Sequence, residues 1–340
     1  MNPESETRPT PAPPPEPDPQ TGPEDPFLRV RVRTLILWVP GIAIASGLVA
    51  MLVGYLLYGD LWTTDDVMPV LFYGFDLGLI LWVLRQNTRA GIDFERLIGR
   101  PPPDFPYSRL VKLALALVVF SVAVMALFGS LLTLLDVVPP WVEAESADAA
   151  FEGLPLLHRL SMMILLAPVL EEIVFRGYFL HRFAAKWNLR AAIWVSSILF
   201  AFCHWDVIGA LVLALVGCCL YLRTRSLLIP MLVHGLNNVI ACFGLLLQAL
   251  LAALGQVSET GDVPVTGGSE VPSLEPGAFI CLGVLITILL VATVPYLVRF
   301  LRDNWPERDM KLPYEADPQD GEAEVYWRNH RRPGTARRRH

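Results

Sequence analysis

Hydrophobic positions in this chain arrive in long runs, broken by short clusters of charge or of proline and glycine. Runs long enough to cross a bilayer, about 20 residues each, extend from Leu35 to Tyr58, Val67 to Leu84, Val111 to Leu135 and Ala278 to Phe300. Four more lie between them, from Leu156 to Phe179, Ala191 to Trp205, Val207 to Leu222 and Leu227 to Leu250. The second and third of these four are short and are joined by little more than Trp205-Asp206. The pattern predicts an all-α fold, a polytopic membrane bundle of about eight transmembrane helices.

The breaks set an orientation, because Lys and Arg of short loops gather on the cytoplasmic side. Arg29, Arg31 and Arg33 precede the first run, and Arg85, Arg89, Arg96, Arg100, Arg109 and Lys112 lie between the second and third. Arg182, Lys186 and Arg190 follow the fourth, and Arg223 and Arg225 the sixth. The alternate breaks carry Asp60, Asp65, Asp66, Glu143, Glu145, Asp148, Glu259, Asp262, Glu270 and Glu275 without Lys or Arg; Arg159 is the one exception to the bias. Both termini are expected in the cytoplasm of a bacterial cell, with the chain integral to the inner (plasma) membrane.

The expected organisation is a Pro-rich disordered cytoplasmic arm at 1–27, helices 1–3 at 28–154, a core of helices 4–7 at 155–250, an outer loop and helix 8 at 251–301, and a cytoplasmic tail at 302–340. The arm lacks the apolar stretch of a signal peptide, so insertion is expected to begin with helix 1. Composition agrees with the class: 54% of the 340 residues are hydrophobic and 18% charged. The net charge of −6 comes mostly from the outer loops and the arm, and no basic groove for nucleic acid is evident. Cys203, Cys218, Cys219, Cys242 and Cys281 all fall within predicted spans, without CxxC spacing, and read as apolar packing residues.

Against this apolar background, Glu171-Glu172-Ile173-Val174-Phe175-Arg176 places two carboxylates and a guanidinium inside one predicted span. Ionisable groups at membrane depth cost a few kcal/mol or more and usually mark function. Glu172 and Arg176, four apart, share a face and can pair within the helix. Glu171, about 100° round the helix from Glu172, is left to act, although pairing of Glu171 with Arg176 stays open. Phe200 and His204 are four apart on the next span, and His234 and Asn238 repeat that spacing on the seventh. At about 1.5 Å per residue from the cytoplasmic ends, these groups lie at depths of roughly 16 Å for Glu171, 21 Å for His204, and 12 and 18 Å for His234 and Asn238. Antiparallel neighbours can bring them to one buried polar cavity.

Glu-Glu-x-x-x-Arg, then Phe-x-x-x-His, then His-x-x-x-Asn on successive membrane helices resembles the CPBP family, which contains the CAAX prenyl endopeptidases and bacteriocin-processing enzymes. The resemblance covers about Leu156 to Leu250, and departs only at Gly235, where Ala is common. It implies that Glu171 is the catalytic carboxylate, accompanied by Glu172 and Arg176, with His204 from the second motif and His234 and Asn238 from the third. The implied activity is intramembrane hydrolysis of a peptide bond. Glu171 would activate water as general base with His204 assisting, and His234 and Asn238 would donate to the oxyanion. The substrate would be a membrane-embedded or lipid-anchored peptide, and no cofactor or metal is called for. Two His and one carboxylate are also a zinc ligand set, but no His-Glu-x-x-His is present, and Asn238 is a better oxyanion donor than zinc ligand.

Other chemistries are set aside. There is no Gly-x-Ser-x-Gly for a serine route, and Asp76 is the only aspartate within a span, whereas an aspartyl dyad needs two. Asp76 reads as a capping or interhelical hydrogen-bonding group. His158 and His181 read as interfacial, and His330 and His340 lie in the tail. The plain alternatives for the constellation are a structural ion pair with a polar interhelical clamp, a non-catalytic scaffold or immunity protein that binds a partner helix in the same cavity, and a proton-coupled transporter.

Overall fold

The computed structural model describes residues 25–58, 64–135, 160–243, 276–308 and 310–315. Within them the chain is helical, with α1 at Leu35–Tyr58, α2 at Thr64–Ala90, a short α3 at Phe94–Ile98 and α4 at Ser108–Leu134. A continuous helical run, 160–186, is labelled α5. It is followed by α6 at Leu189–Phe202, α7 at Val207–Thr224, α8 at Leu228–Ala241 and α9 at Pro276–Asn304. Eight of these, all but α3, correspond in order to the eight expected runs, and the chain is a helical integral membrane protein. Among the described residues four stretches are long and apolar enough to cross a membrane: Pro26–Leu56, Ser108–Leu134, Val207–Thr224 and Ile280–Asn304. The remaining expectations for 1–24, the outer loops at 136–159 and 244–275, and 316–340 lie outside the described residues, as do His158, Arg159, His330 and His340.

Burial separates a lipid-facing shell from a packed centre. Along α1 the exposed residues are themselves apolar, Ile36, Leu37, Leu48 and Leu56 among them, as expected of a helix whose outer solvent is hydrocarbon. Helix α7 is the opposite, with 78% of its most apolar window buried, and α4, α5, α6 and α8 pack around it. A helix apolar all round belongs in such a centre. Helices α1 and α2 come together through Gly74 and Gly78, where an added Cβ would stand 2.8 Å from Ala43 Cα and 3.0 Å from Val39 Cα; small residues four apart permit this approach.

The run α5 is not a uniform α-helix. It passes through a π segment at Met162–Leu166, an α segment at Ala167–Glu172, a second π segment at Ile173–Leu180 and a final α segment at His181–Lys186. The Glu-Glu-x-x-x-Arg motif therefore straddles an α-to-π junction, a geometry frequent at functional sites.

Several expectations need correction. Phe27, assigned to the arm, is 1% exposed in a 3-10 turn at Pro26–Arg29 capped by Asp25. It stacks on His181 with ring centroids 4.4 Å apart. His181 is consequently fully buried rather than interfacial, its Nδ1 donating to the Arg176 carbonyl at 3.2 Å. The start of the tail also packs: Arg223 reaches Glu307 at 3.0 Å and the Trp305 carbonyl at 2.7 Å, and Leu312 is buried. The fifth apolar run ends early, because α6 stops at Phe202 and Asp206 already caps α7 by accepting from Gly209 N. His204 thus stands in the turn between the two helices, not on α6. The five cysteines are unpaired; Cys218, Cys219 and Cys242 are buried and Cys203 and Cys281 exposed.

Candidate active site

Glu172 closes the α segment of α5 and Arg176 lies one turn on in the π segment. Their charged atoms are 3.1 Å apart, Oε1 to Nη1, and both side chains are 1% exposed. The Arg176 guanidinium lies 4.5 Å over the Phe200 ring, which supplies cation–π attraction where water is excluded. Its other side abuts Gly217, where a Cβ would stand 3.0 Å from Nη2. Removing two charges from water costs several kcal/mol per ion, so the pair is an expensive device for locating charge.

His234 of α8 ties into this pair, with Nδ1 3.2 Å from Glu172 Oε1. Its other ring nitrogen, Nε2, is 3.9 Å from Glu171 Oε2. His204 approaches the same oxygen from the opposite helix pair, with Nε2 at 3.5 Å, while its Nδ1 is 2.8 Å from the Phe200 carbonyl at the end of α6. The Phe200 ring stacks on His204 at 4.4 Å and meets His234 edge-on at 5.6 Å. Phe200, which reads from sequence as packing, is in contact with three of the polar groups.

Acceptor chemistry fixes the tautomers. A carbonyl only accepts, so His204 carries a proton on Nδ1; Glu172, ionised against Arg176, likewise accepts from His234 Nδ1. Both imidazoles therefore turn Nε2 toward Glu171, as a lone pair when neutral and as a second donor when protonated. Glu171 and His204 keep 23% and 30% side-chain exposure, against 1% for Glu172 and 3% for His234. Glu171 and His204 are thus partly exposed, although Glu171 Oε2 is itself buried between the imidazoles, while Glu172 and His234 are sealed.

The structure brings Glu171, Glu172, Arg176, His204 and His234 into one cluster. Asn238, one turn beyond His234, makes its contacts elsewhere: its Nδ2 donates to the Met163 carbonyl at 2.8 Å and its Oδ1 accepts from Asn237 at 3.4 Å. The reason lies in α5. In the π segment Ala167 N bonds Met162 O, so the next carbonyl, Met163, would need an amide hydrogen from residue 168, which is proline and has none. Asn238 supplies the missing donor. Close approach of α8 is permitted by Gly235, where an added Cβ would stand 2.9 Å from the Ile164 carbonyl oxygen. A mid-span proline facing a small-residue and amide helix was a readable signal for this joint.

Asp76 on α2 is within electrostatic reach of Glu171 and, among the described residues, caps nothing and forms no interhelical hydrogen bond. Glu171, His204 and His234 each offer one donor atom, and the three lie within 4.8 Å of one another. These three are the groups able to hold a metal ion among the described residues.

Residues 153–240 match the family model for type II CAAX prenyl endopeptidases, Rce1-like. The matched segment contains all six residues singled out from the sequence, and supports a CAAX-type intramembrane protease at the level of the family. No curated protein and no solved structure matches the chain.

Proposed function

We propose that this chain hydrolyses a peptide bond of a membrane-embedded or lipid-anchored protein, with Glu171 as general base and no metal. The observation that carries the reading is one carboxylate oxygen, Glu171 Oε2, itself buried and flanked by two imidazole Nε2 atoms at 3.5 and 3.9 Å, on a side chain that keeps 23% exposure through its other atoms. A water held there can give one proton to Glu171 while its other hydrogen is accepted by neutral His204. Its oxygen adds to the substrate carbonyl carbon and the carbonyl electrons move to oxygen. His234 can donate from Nε2 to that oxyanion only when protonated, keeping Nδ1–H on Glu172, and the second amide hydrogen of Asn238 remains for the same task. Such donors contribute about 3–4 kcal/mol each in a dry site. Collapse breaks the carbon–nitrogen bond, and Glu171 returns its proton to the leaving amine.

In this reading the catalytic core is 155–250, cradled by the helices of 28–154 and by α9, the helix of 251–301. The loop charges support cytoplasmic termini, and the substrate enters from the inner leaflet.

A second reading is favoured by the tautomers. Two histidines that spend Nδ1–H on a carboxylate and a carbonyl and turn Nε2 to a third ligand are the usual supports of zinc. Glu171, His204 and His234 fit the ion, which would polarise the scissile carbonyl and acidify a bound water. We take the metal-free reading because it needs only the chain and water.

The test is mass spectrometry of membranes from cells bearing wild type or Glu171→Gln at equal abundance. Peptide fragments present with wild type should vanish with the variant while intact substrate accumulates. Unchanged fragments, with biological activity retained, would assign the cavity to a scaffold instead.

A further inference from the structure

We propose that a second site, separate from the glutamates, binds a phosphate group, and that anionic phospholipid supplies it. A cavity of about 860 Å³ lies between the 3-10 turns before α1 and the final turns of α2 and α5. Arg29, Arg31, Arg33, Arg89, Arg182 and Lys186 line it, and among the described residues no lining residue is acidic. Arg31, Arg33, Arg89, Arg182 and Lys186 repel one another across this space, and an anion seated among them relieves that repulsion. Five of the six lining cations are arginine, whose planar fork matches phosphate oxygens.

The site is built rather than incidental. Gln86 of α2 accepts from Arg31 N at 2.9 Å, and Arg89 Nε donates to the Arg29 carbonyl at 3.2 Å. Phe27, seated on His181, anchors the same strap from below. The one nearby carboxylate on the strap, Asp25, is spent on Phe27 N. Arg182 Nη1 is buried with no hydrogen-bond partner among the described residues, an arrangement that costs free energy unless a ligand completes it. Leu28 and Phe183 add an apolar wall, which suits the glycerol and first methylenes of a lipid whose headgroup enters at the end of the membrane helices. Arg182 is 11 residues along α5 from Glu171, on the order of 16 Å, so occupancy of this cavity is independent of the proteolytic reading.

The experiment titrates the full-length protein in neutral detergent with dihexanoylphosphatidylglycerol, dihexanoylphosphatidylcholine or inorganic phosphate, and reads the unfolding temperature. The expected result is a saturable rise with phosphatidylglycerol, well below any response to phosphatidylcholine. Its half-saturating concentration should increase about tenfold in Arg182→Gln. The pair Arg31→Gln and Arg33→Gln, both exposed and away from the packed core, should weaken it similarly and covers the case in which Arg182→Gln fails to fold. The control pair Arg299→Gln and Arg302→Gln removes the same charge elsewhere and should leave the midpoint unchanged. Saturation by phosphatidylglycerol but not by phosphate assigns the lipid headgroup; equal saturation by both keeps the phosphate site and removes the lipid. No saturable response to either, or equal weakening in the control pair, would overturn the site.

Discussion

Glu172 Oε1 stands 3.2 Å from His234 Nδ1, so the buried carboxylate that neutralises Arg176 also fixes the tautomer of an imidazole on another helix. The two glutamates of the motif are therefore not interchangeable: Glu172 is sealed against Arg176 and His234, while Glu171 keeps 23% side-chain exposure.

Glu172→Gln keeps an acceptor for His234 but leaves Arg176 as an uncompensated buried charge. The expected loss of stability is about 3–5 kcal/mol, whereas Glu171→Gln, at a partly exposed position, should shift stability by less than about 1 kcal/mol. Unfolding of the two variants in detergent, side by side with wild type, checks the asymmetry. Comparable losses would contradict the division of roles.

Asn238→Ala removes the donor that Pro168 makes necessary, and the orphaned Met163 carbonyl should cost about 1–3 kcal/mol. Gly235→Ala should cost a similar amount, about 1–3 kcal/mol, because its methyl group meets the Ile164 carbonyl at 2.9 Å and backbone gives way poorly. If Asn238 acted on the oxyanion alone, its alanine variant would unfold like wild type and lose only turnover.

Metal removal separates the two readings of the site. With Glu171 as base, the rate of purified protein should survive dialysis against a strong chelator. Loss of activity that zinc restores would transfer Glu171, His204 and His234 to the role of ligands.

At the end of α9, burial pushes the Glu307 carboxyl up, but the hydrogen bond and charge of Arg223 outweigh it and hold the group below its ordinary 4.5. A carboxyl lowered by folding contributes stability that is complete above the unfolded value and is lost as pH falls through the folded one. The contact of Arg223 with the segment after α9 should therefore persist at neutral pH and loosen only below about pH 4.5. A fluorine resonance from 5-fluorotryptophan at Trp305 reads this, and Arg223→Gln should show the loosened signal already at neutral pH.

Much of this was legible because bilayer-spanning helices advertise themselves by run length, and because Glu172 and Arg176 obey the simple spacing of one helical turn. Depth counting puts Glu171, His204 and His234 within about 9 Å of one another along the bilayer normal, near enough to suggest a shared cavity. What it missed depends on helix rotation and local irregularity. The hold of Glu172 on His234 requires knowing which faces of α5 and α8 meet. The π segments leave no apolar signature, so the demand that Pro168 places on Asn238 went unread. His204 was assigned to a helix because the run stays apolar through Trp205, whereas the cap at Asp206 forces the chain to turn first. Phe27 and His181 were misplaced for one reason: a lone aromatic in a polar arm does not reveal the imidazole it will cover.

The most direct test of the central claim is the single-turnover rate of Glu171→Gln in reconstituted bilayers, on a peptide identified by its disappearance from variant membranes. The account predicts a fall of at least about a thousandfold, with the unfolding temperature preserved and substrate still retained. Cleavage at the wild-type rate by the folded variant would contradict it.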